Sequence, residues 1–216
     1  MRITLPSGTT AELATAPDAA VGLVVLPDIH GLRLLFDEHC AFLAREHQWN
    51  VCAFELFAGN EHLNRDERMV AARELDDGRI LGDALAAADA TQCAVVNIIG
   101  FCMGGMYTLK SVKTGRFQRH VPFYGMIHVP DDWRGPGQGD PLAAVSEGDA
   151  QRVMSVIGTA DPWTPPDAVD ELESAGVTVV RYHGADHGFV HDPDRPTHNA
   201  QYATDAWARA IHWLNA

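Results

Sequence analysis

The residues with the most chemical potential lie in one short run, "VVNIIGFCMGGMYTLK", residues 95–110. Mostly β-branched residues lead into Gly100-Phe101-Cys102-Met103-Gly104, and the pattern then becomes that of a helix. The pentapeptide fits G-x-S-x-G with cysteine in place of serine. That motif puts a nucleophile on a sharp strand-to-helix turn, in a strained backbone conformation, with small neighbours that let adjoining segments pass close by. The side chain is thereby lifted to the end of a sheet, at a helix N-terminus. There the backbone N–H of Met103 can bind an oxyanion, and the positive end of the helix favours a thiolate.

Such a nucleophile needs a base, and the base needs a group to orient it. Nucleophile elbows carry these partners in the chain order nucleophile, acid, histidine. Downstream, "SVIGTADPWTP" puts Asp161 just beyond one strand, and "VTVVRYHGADHGF" puts His187 just beyond the next. Taken alone, Asp161 reads as a turn residue of an Asp-Pro pair, Asp167 as a helix cap and His187 as a loop histidine. Their order behind Cys102 is what marks Asp161 and His187 as acid and base. Asp186 is a rival acid, but adjacent loop residues seldom orient each other's rings, so Asp161 is preferred. His183, His187 and His191 form H-x-x-x-H-x-x-x-H, which on a helix would stack three zinc ligands on one face. Gly184, Gly188 and Pro193 argue against a helix there, so no metal or other cofactor is expected.

The elements that must position these residues follow from the hydropathy pattern. "ITLP" and "TAELATA" predict a hairpin around Ser7-Gly8, and "GLVVLPDIHG", an apolar run ending in Pro-Asp, and "WNVCAFEL" predict buried strands, the first covered on both faces. Residues 34–47 predict a helix with Leu34, Leu35, Cys40, Phe42 and Leu43 near one face. Residues 65–90 predict helix broken near Gly78 or Gly82. Strands "AVVNIIG", "HVPFYG", "RVMSVIGTAD" and "VTVVRYHGAD" then alternate with helices from Met103, over "PDAVDELESA" and over "ATDAWARAIHWLNA". Alternation of this kind predicts a mostly parallel sheet with helices on both faces and working residues at the carboxyl ends of the strands. The loop at 130–141 is rich in Gly and Pro and reads as an insertion or flap. Its "GPGQGD" lacks both the strand-to-helix context and the Lys-Ser/Thr of a phosphate loop.

The 216 residues suffice for one domain, 1–216, with a substantial core. A net charge of −13 without a Lys/Arg cluster excludes the electrostatic footprint of a nucleic-acid or anionic-membrane binder. No run of 18 apolar residues exists, and "MRITLPSGTT" lacks the charged-then-apolar order of a signal peptide, so the expected location is cytoplasmic. Cys40, Cys52 and Cys93 form no C-x-x-C pair and read as small buried hydrophobes.

With these residues in place, the sequence resembles the dienelactone hydrolase family over nearly the whole chain. The resemblance rests on "LPDIHGL", "FELFAG", "GFCMGGMY", "GTADPWTP", "GADHGFVHD" and "RPTHNAQYATDAWARAIHWL". It implies an α/β-hydrolase fold with Cys102 as nucleophile, His187 as base and Asp161 as its orienting acid. It also implies an oxyanion hole from the N–H groups of Met103 and Ile29. In the family a Glu after the first long strand contacts the resting thiol; Asp28 occupies that place. Two family arginines hold a substrate carboxylate. His191 aligns with one of them, and Arg65 or Arg68, around "DER", with the other. The implied reaction is hydrolysis of a small-molecule ester or lactone by a monomer or small homo-oligomer, without a cofactor. Hydrolysis of thioesters or halides on the same triad is an alternative, as is a non-catalytic sensor whose thiol oxidises reversibly. The ordered triad argues against the sensor.

Overall fold

Apolar runs too short for helices and rich in Val and Ile build the centre of the sheet. In the computed structural model, which describes residues 1–216, the strands are β1 (Arg2–Thr4), β2 (Thr10–Ala14), β3 (Val21–Leu26), β4 (Trp49–Phe54), β5 (Val95–Phe101), β6 (His120–Phe123), β7 (Met154–Gly158) and β8 (Thr178–Tyr182). They form one eight-stranded sheet in the order β1-β2-β4-β3-β5-β6-β7-β8. β1 and β2 pair antiparallel, as do β2 and β4, and every later pairing is parallel. This is the α/β-hydrolase arrangement.

The helices are α1 (Leu34–His47), α2 (Arg65–Ala71), α3 (Asp77–Ala90), α4 (Met103–Lys110), α5 (Pro141–Ser146), α6 (Pro166–Ser174) and α7 (Ala200–Leu214). Register shows how they divide between the two faces. Gly22 of β3 abuts Thr91 at the end of α3. Leu23, one residue on, is paired with Asn97, whose amide donates to the Leu214 carbonyl of α7 at 2.9 Å. Successive strand residues point to opposite faces, so α3 and α7 cover opposite sides. α1 shares the α7 side, where His39 lies 5.9 Å from Trp207 between ring centroids.

Three expectations change. α1 buries Phe36, Cys40, Leu43 and Ala44, whereas Leu34 and Phe42 are exposed at 68% and 50%. The buried stripe therefore runs through Phe36, and Leu34 sits in the first turn, beyond the sheet's reach. The predicted break near Gly78 or Gly82 falls earlier, at Leu75-Asp76. There a short 3-10 turn ends, and Asp76 caps α3 by accepting from the Arg79 N–H at 2.8 Å. Gly78 and Gly82 are ordinary helical residues. The 130–141 segment carries a 3-10 turn at Asp131–Trp133 and is tied down: Gln138 donates to the carbonyls of Ala72 and Trp133, and the Gly139 N–H donates to Asp77 Oδ2 at 2.8 Å. No helix is long and apolar enough to cross a membrane, and all four cysteines are free thiols.

Candidate active site

β5 ends in a turn that only certain residues allow. Cys102 has φ +58° and ψ −117°, a conformation that L-residues other than glycine rarely adopt. Its amide donates to the Phe123 carbonyl at 3.1 Å, and its own carbonyl accepts from the Met106 N–H as α4 begins. The flanking glycines are steric requirements. A Cβ on Gly100 would sit 2.3 Å from the Gly104 carbonyl oxygen, and one on Gly104 would sit 2.2 Å from that of Leu26. The strained cysteine persists because the surrounding structure over-determines it.

Cys102 opens into a pocket of about 320 Å³. His187, Ile29, His30, Arg65, Arg195 and Trp163 are among the residues that line it with the thiol. His187 arrives on the loop after β8, and Asp161 on the loop after β7. The His187 Nδ1–H donates to Asp161 Oδ2 at 2.8 Å, and the Trp163 backbone N–H donates to Asp161 Oδ1 at 2.8 Å. Both carboxylate oxygens are thus used, in a side chain with no solvent exposure. Asp186 accepts from the backbone N–H of His187 and makes no contact with its ring nitrogens. Burial disfavours a charged His187, but the Cys102 sulfur and the Asp161 carboxylate outweigh it, and His187 is pushed up to about 10. This arrangement favours the protonated His187 ring.

Asp28, Arg68 and His191 do not line this pocket. Asp28 is fully buried. It accepts from both Nη groups of Arg33 (2.7 and 3.2 Å), from Arg195 Nη2 (2.7 Å), from His191 Nε2 (2.8 Å) and from the His30 backbone N–H (3.0 Å). Desolvation opposes its charge, yet His191 and Arg33 hold its carboxyl well below the usual range. The expectation that Asp28 meets the resting thiol gives way here: Arg33, Arg195, His191 and the His30 N–H take up its carboxylate. His191 is likewise fully buried, between Asp28 and the Tyr124 hydroxyl, which leaves no ring nitrogen for a substrate. Arg68 pairs with buried Glu55 at 2.9 Å and donates to the carbonyls of Leu63 and Glu61. It holds α2 in place and is not exposed to a ligand. Of the residues aligned with the carboxylate clamp, only Arg65 reaches the pocket, from a side chain 57% exposed.

Arg195 is the site residue that sequence reasoning passed over, although the "RPTHNA" signal contained it. Its guanidinium lies across Gly188, where a Cβ would come within 2.6 Å of Nη1. Gly188 has φ +79°, so both its conformation and its missing side chain are needed for Arg195 to lie beside His187. Trp133 and Trp163 stack at 5.5 Å and 25° and form the pocket's apolar wall. Trp133 comes from the 130–141 segment, so that loop is part of the site.

Comparison with known proteins identifies the family and supports the fold. The profile of the dienelactone hydrolase family matches residues 10–216. A Bradyrhizobium protein named as a probable 2-oxo-3-(5-oxofuran-2-ylidene)propanoate lactonase is 24% identical over 207 residues, 89% of this chain and 82% of its own. Among solved structures, a Klebsiella pneumoniae protein described as a candidate dienelactone hydrolase superposes with a TM-score of 0.87 at 22% identity, over 100% of this chain and 97% of its own. The enol-lactonase of Burkholderia xenovorans LB400 gives a TM-score of 0.68 at 12% identity, over the full length of both chains.

Proposed function

The chain belongs to the dienelactone hydrolase family, and from that premise we propose that it hydrolyses a small lactone or ester through a Cys102 thiolate. The observation that carries this reading is a cysteine held at φ +58° on an elbow, sharing a pocket with a histidine that Asp161 holds at 2.8 Å.

His187 Nε2 takes the Cys102 proton, while Nδ1–H stays on Asp161. Sγ attacks the carbonyl carbon. The developing oxyanion is met by the N–H groups of Met103 and Ile29, each such donor being worth on the order of 10²-fold in rate. As the tetrahedral intermediate collapses, the C–O bond breaks and the enolate or alcohol takes the proton from His187. A thioester remains. His187 then deprotonates a water molecule, which attacks the thioester and returns Cys102 as the thiolate. Thiolates attack enol lactones and activated esters readily, because the leaving group needs little help.

Substrate charge follows from the lining. The Bradyrhizobium relative is named for a lactone that carries a propanoate. In this pocket Arg65 and Arg195 are the cationic groups able to meet such a carboxylate, and Arg195 Nη1 has no protein partner. The stacked Trp133 and Trp163 suit a planar, conjugated ring.

The test is to assay wild type and Cys102→Ala on a panel of enol lactones and on p-nitrophenyl acetate. Activity should vanish in the variant, and iodoacetamide should label Cys102 ahead of buried Cys40, Cys52 and Cys93. Equal turnover by the two proteins would rule out Cys102 as the nucleophile.

A further inference from the structure

Tyr124 stands where the backbone favours glycine. Its φ is +40°, and it is completely buried. A left-handed conformation costs a non-glycine residue roughly 1–2 kcal/mol, so the ring is being kept in place against a steric preference. Gly125, next in the chain, presses on the elbow helix: a Cβ there would be 2.4 Å from the Gly105 carbonyl carbon. The backbone beside Tyr124 is therefore packed directly against the segment that follows the nucleophile.

The ring meets His187 nearly edge-on, with centroids 5.2 Å apart and an interplanar angle of 66°. Its hydroxyl is bonded to His191 Nδ1, and His191 Nε2 lies 2.8 Å from Asp28 Oδ2. Burial pushes His191 down to about 4, only partly offset by Asp28, so its ring is neutral at pH 7. Asp28 can only accept, which puts the one ring proton on Nε2. Nδ1 must then accept from the Tyr124 O–H. The order Asp28–His191–Tyr124 thus repeats, behind the pocket, the order Asp161–His187–Cys102 within it.

A histidine anchored only through Nδ1 can still swing its Nε2 away from the sulfur. Two aromatic rings limit that swing: Tyr124, and Trp163 at 6.3 Å. We propose that Tyr124, pinned by His191 and Asp28, is a positioning residue that aims the His187 imidazole at Cys102. This rests on His187 being the base of the reaction described above.

The test uses Tyr124→Phe, which removes one hydroxyl and keeps the ring, and His191→Phe, which breaks the same link from its other end. Circular dichroism checks that each variant folds. On p-nitrophenyl acetate each variant should lose about tenfold in kcat, less than the ~10²-fold of a 1 Å misplacement, with KM within about twofold of wild type. The double variant should be no slower than the slower single one, because both sever one chain. The His187 titration, followed by histidine-selective NMR, should move to lower pH in step with kcat. The charged or titratable groups around His187 are Cys102, Asp161, Asp186, Arg195, His30, Arg65 and the buried Tyr124 hydroxyl. Burial keeps that hydroxyl un-ionised, so Tyr124→Phe leaves every charge in place and a moved titration in that variant reports ring placement. An unchanged titration, wild-type kcat in Tyr124→Phe, or additive losses in the double variant would each overturn the proposal. Cys102→Ala is run alongside. If that variant keeps esterase activity, the reading of the reaction fails while the titration still decides the role of Tyr124.

Discussion

Replacing Asp161 with asparagine tests the triad more sharply than deleting it. The carboxylate accepts two donors, the Trp163 backbone N–H and the His187 Nδ1–H, each at 2.8 Å, with no access to water. An asparagine has one acceptor oxygen for two donors. If that oxygen stays on Trp163, the amide NH₂ faces Nδ1 and forces the ring proton onto Nε2, where it cannot take the Cys102 proton. If the oxygen turns to His187, the NH₂ opposes the Trp163 N–H in a buried space. Leaving a buried donor unpaired costs about 1–3 kcal/mol. The unproductive tautomer is therefore favoured by roughly that amount, a factor of about 5–150. The imidazolium also loses its buried counter-charge, and an established Ser-His-Asp triad falls by ~10⁴ in kcat on the same change. The expected loss in kcat/KM for p-nitrophenyl acetate is therefore about 10²–10⁴-fold. Asp161→Ala should be less damaging than Asp161→Asn, because alanine imposes no tautomer. Asp186 cannot substitute, being bonded to the His187 backbone. A loss of less than about fivefold in Asp161→Asn, or alanine proving the worse of the two, would refute the reasoning.

Other consequences can be measured independently. Arg195→Gln should raise KM for a carboxylate-bearing enol lactone by tenfold or more, roughly one charge-assisted contact, and leave KM for p-nitrophenyl acetate near wild type; equal changes for both substrates would remove Arg195 from substrate recognition. Arg68→Met leaves Glu55 buried without its counter-ion, which should cost about 3–5 kcal/mol and lower Tm by on the order of 10 °C; a calorimetric Tm within ~2 °C of wild type would contradict that. Acid should also destabilise the fold in a defined window. Burial pushes His120 down to about 3 and His191 down to about 4. From about pH 6.5 down to those values the unfolded chain takes up protons that the folded chain refuses, so stability falls as pH falls. Asp28, held low, keeps its contribution until below about pH 4, which separates the two effects. His120→Leu should flatten the Tm profile between pH 6.5 and 4, and an unaltered slope would show that His120 is not its source.

What the sequence could disclose depended on whether a residue's role is local. Cys102 was legible because its constraints lie within five residues: glycines at 100 and 104 that no side chain can replace, at a change from period-two to helical patterning. Strand and helix order was legible for the same reason, since uninterrupted apolar runs and amphipathic stretches report burial directly. The stripe on α1 was misread because Leu34 and Phe42 are apolar yet face solvent, and composition cannot show which part of a helix lies beyond the sheet. The helix break was misplaced because glycine draws attention as a breaker, while the stop came from the Asp76 cap.

The substrate-facing residues were the hardest to read, and the reason is a rearrangement spread over 168 residues of chain, from Asp28 to Arg195. Asp28 is one methylene shorter than a glutamate, and His191 is neutral where the family resemblance pointed to an arginine. A buried carboxylate must still be paired. With no cation at 191, Arg33 and Arg195 supply the charge, reaching Asp28 at 2.7 Å each. That draws Arg195 across Gly188 to the pocket wall, beside His187 and opposite the exposed Arg65. Each substitution seen alone looks like the loss of a substrate contact. Seen together, they close a buried network behind the thiol and bring another arginine, Arg195, to the pocket wall. Introducing an arginine with His191→Arg should therefore not improve carboxylate recognition. It would place a third cation in a buried site beside Arg33 and Arg195, and should lower Tm without lowering KM for an anionic lactone. A tighter KM in that variant would mean that position 191 faces substrate after all.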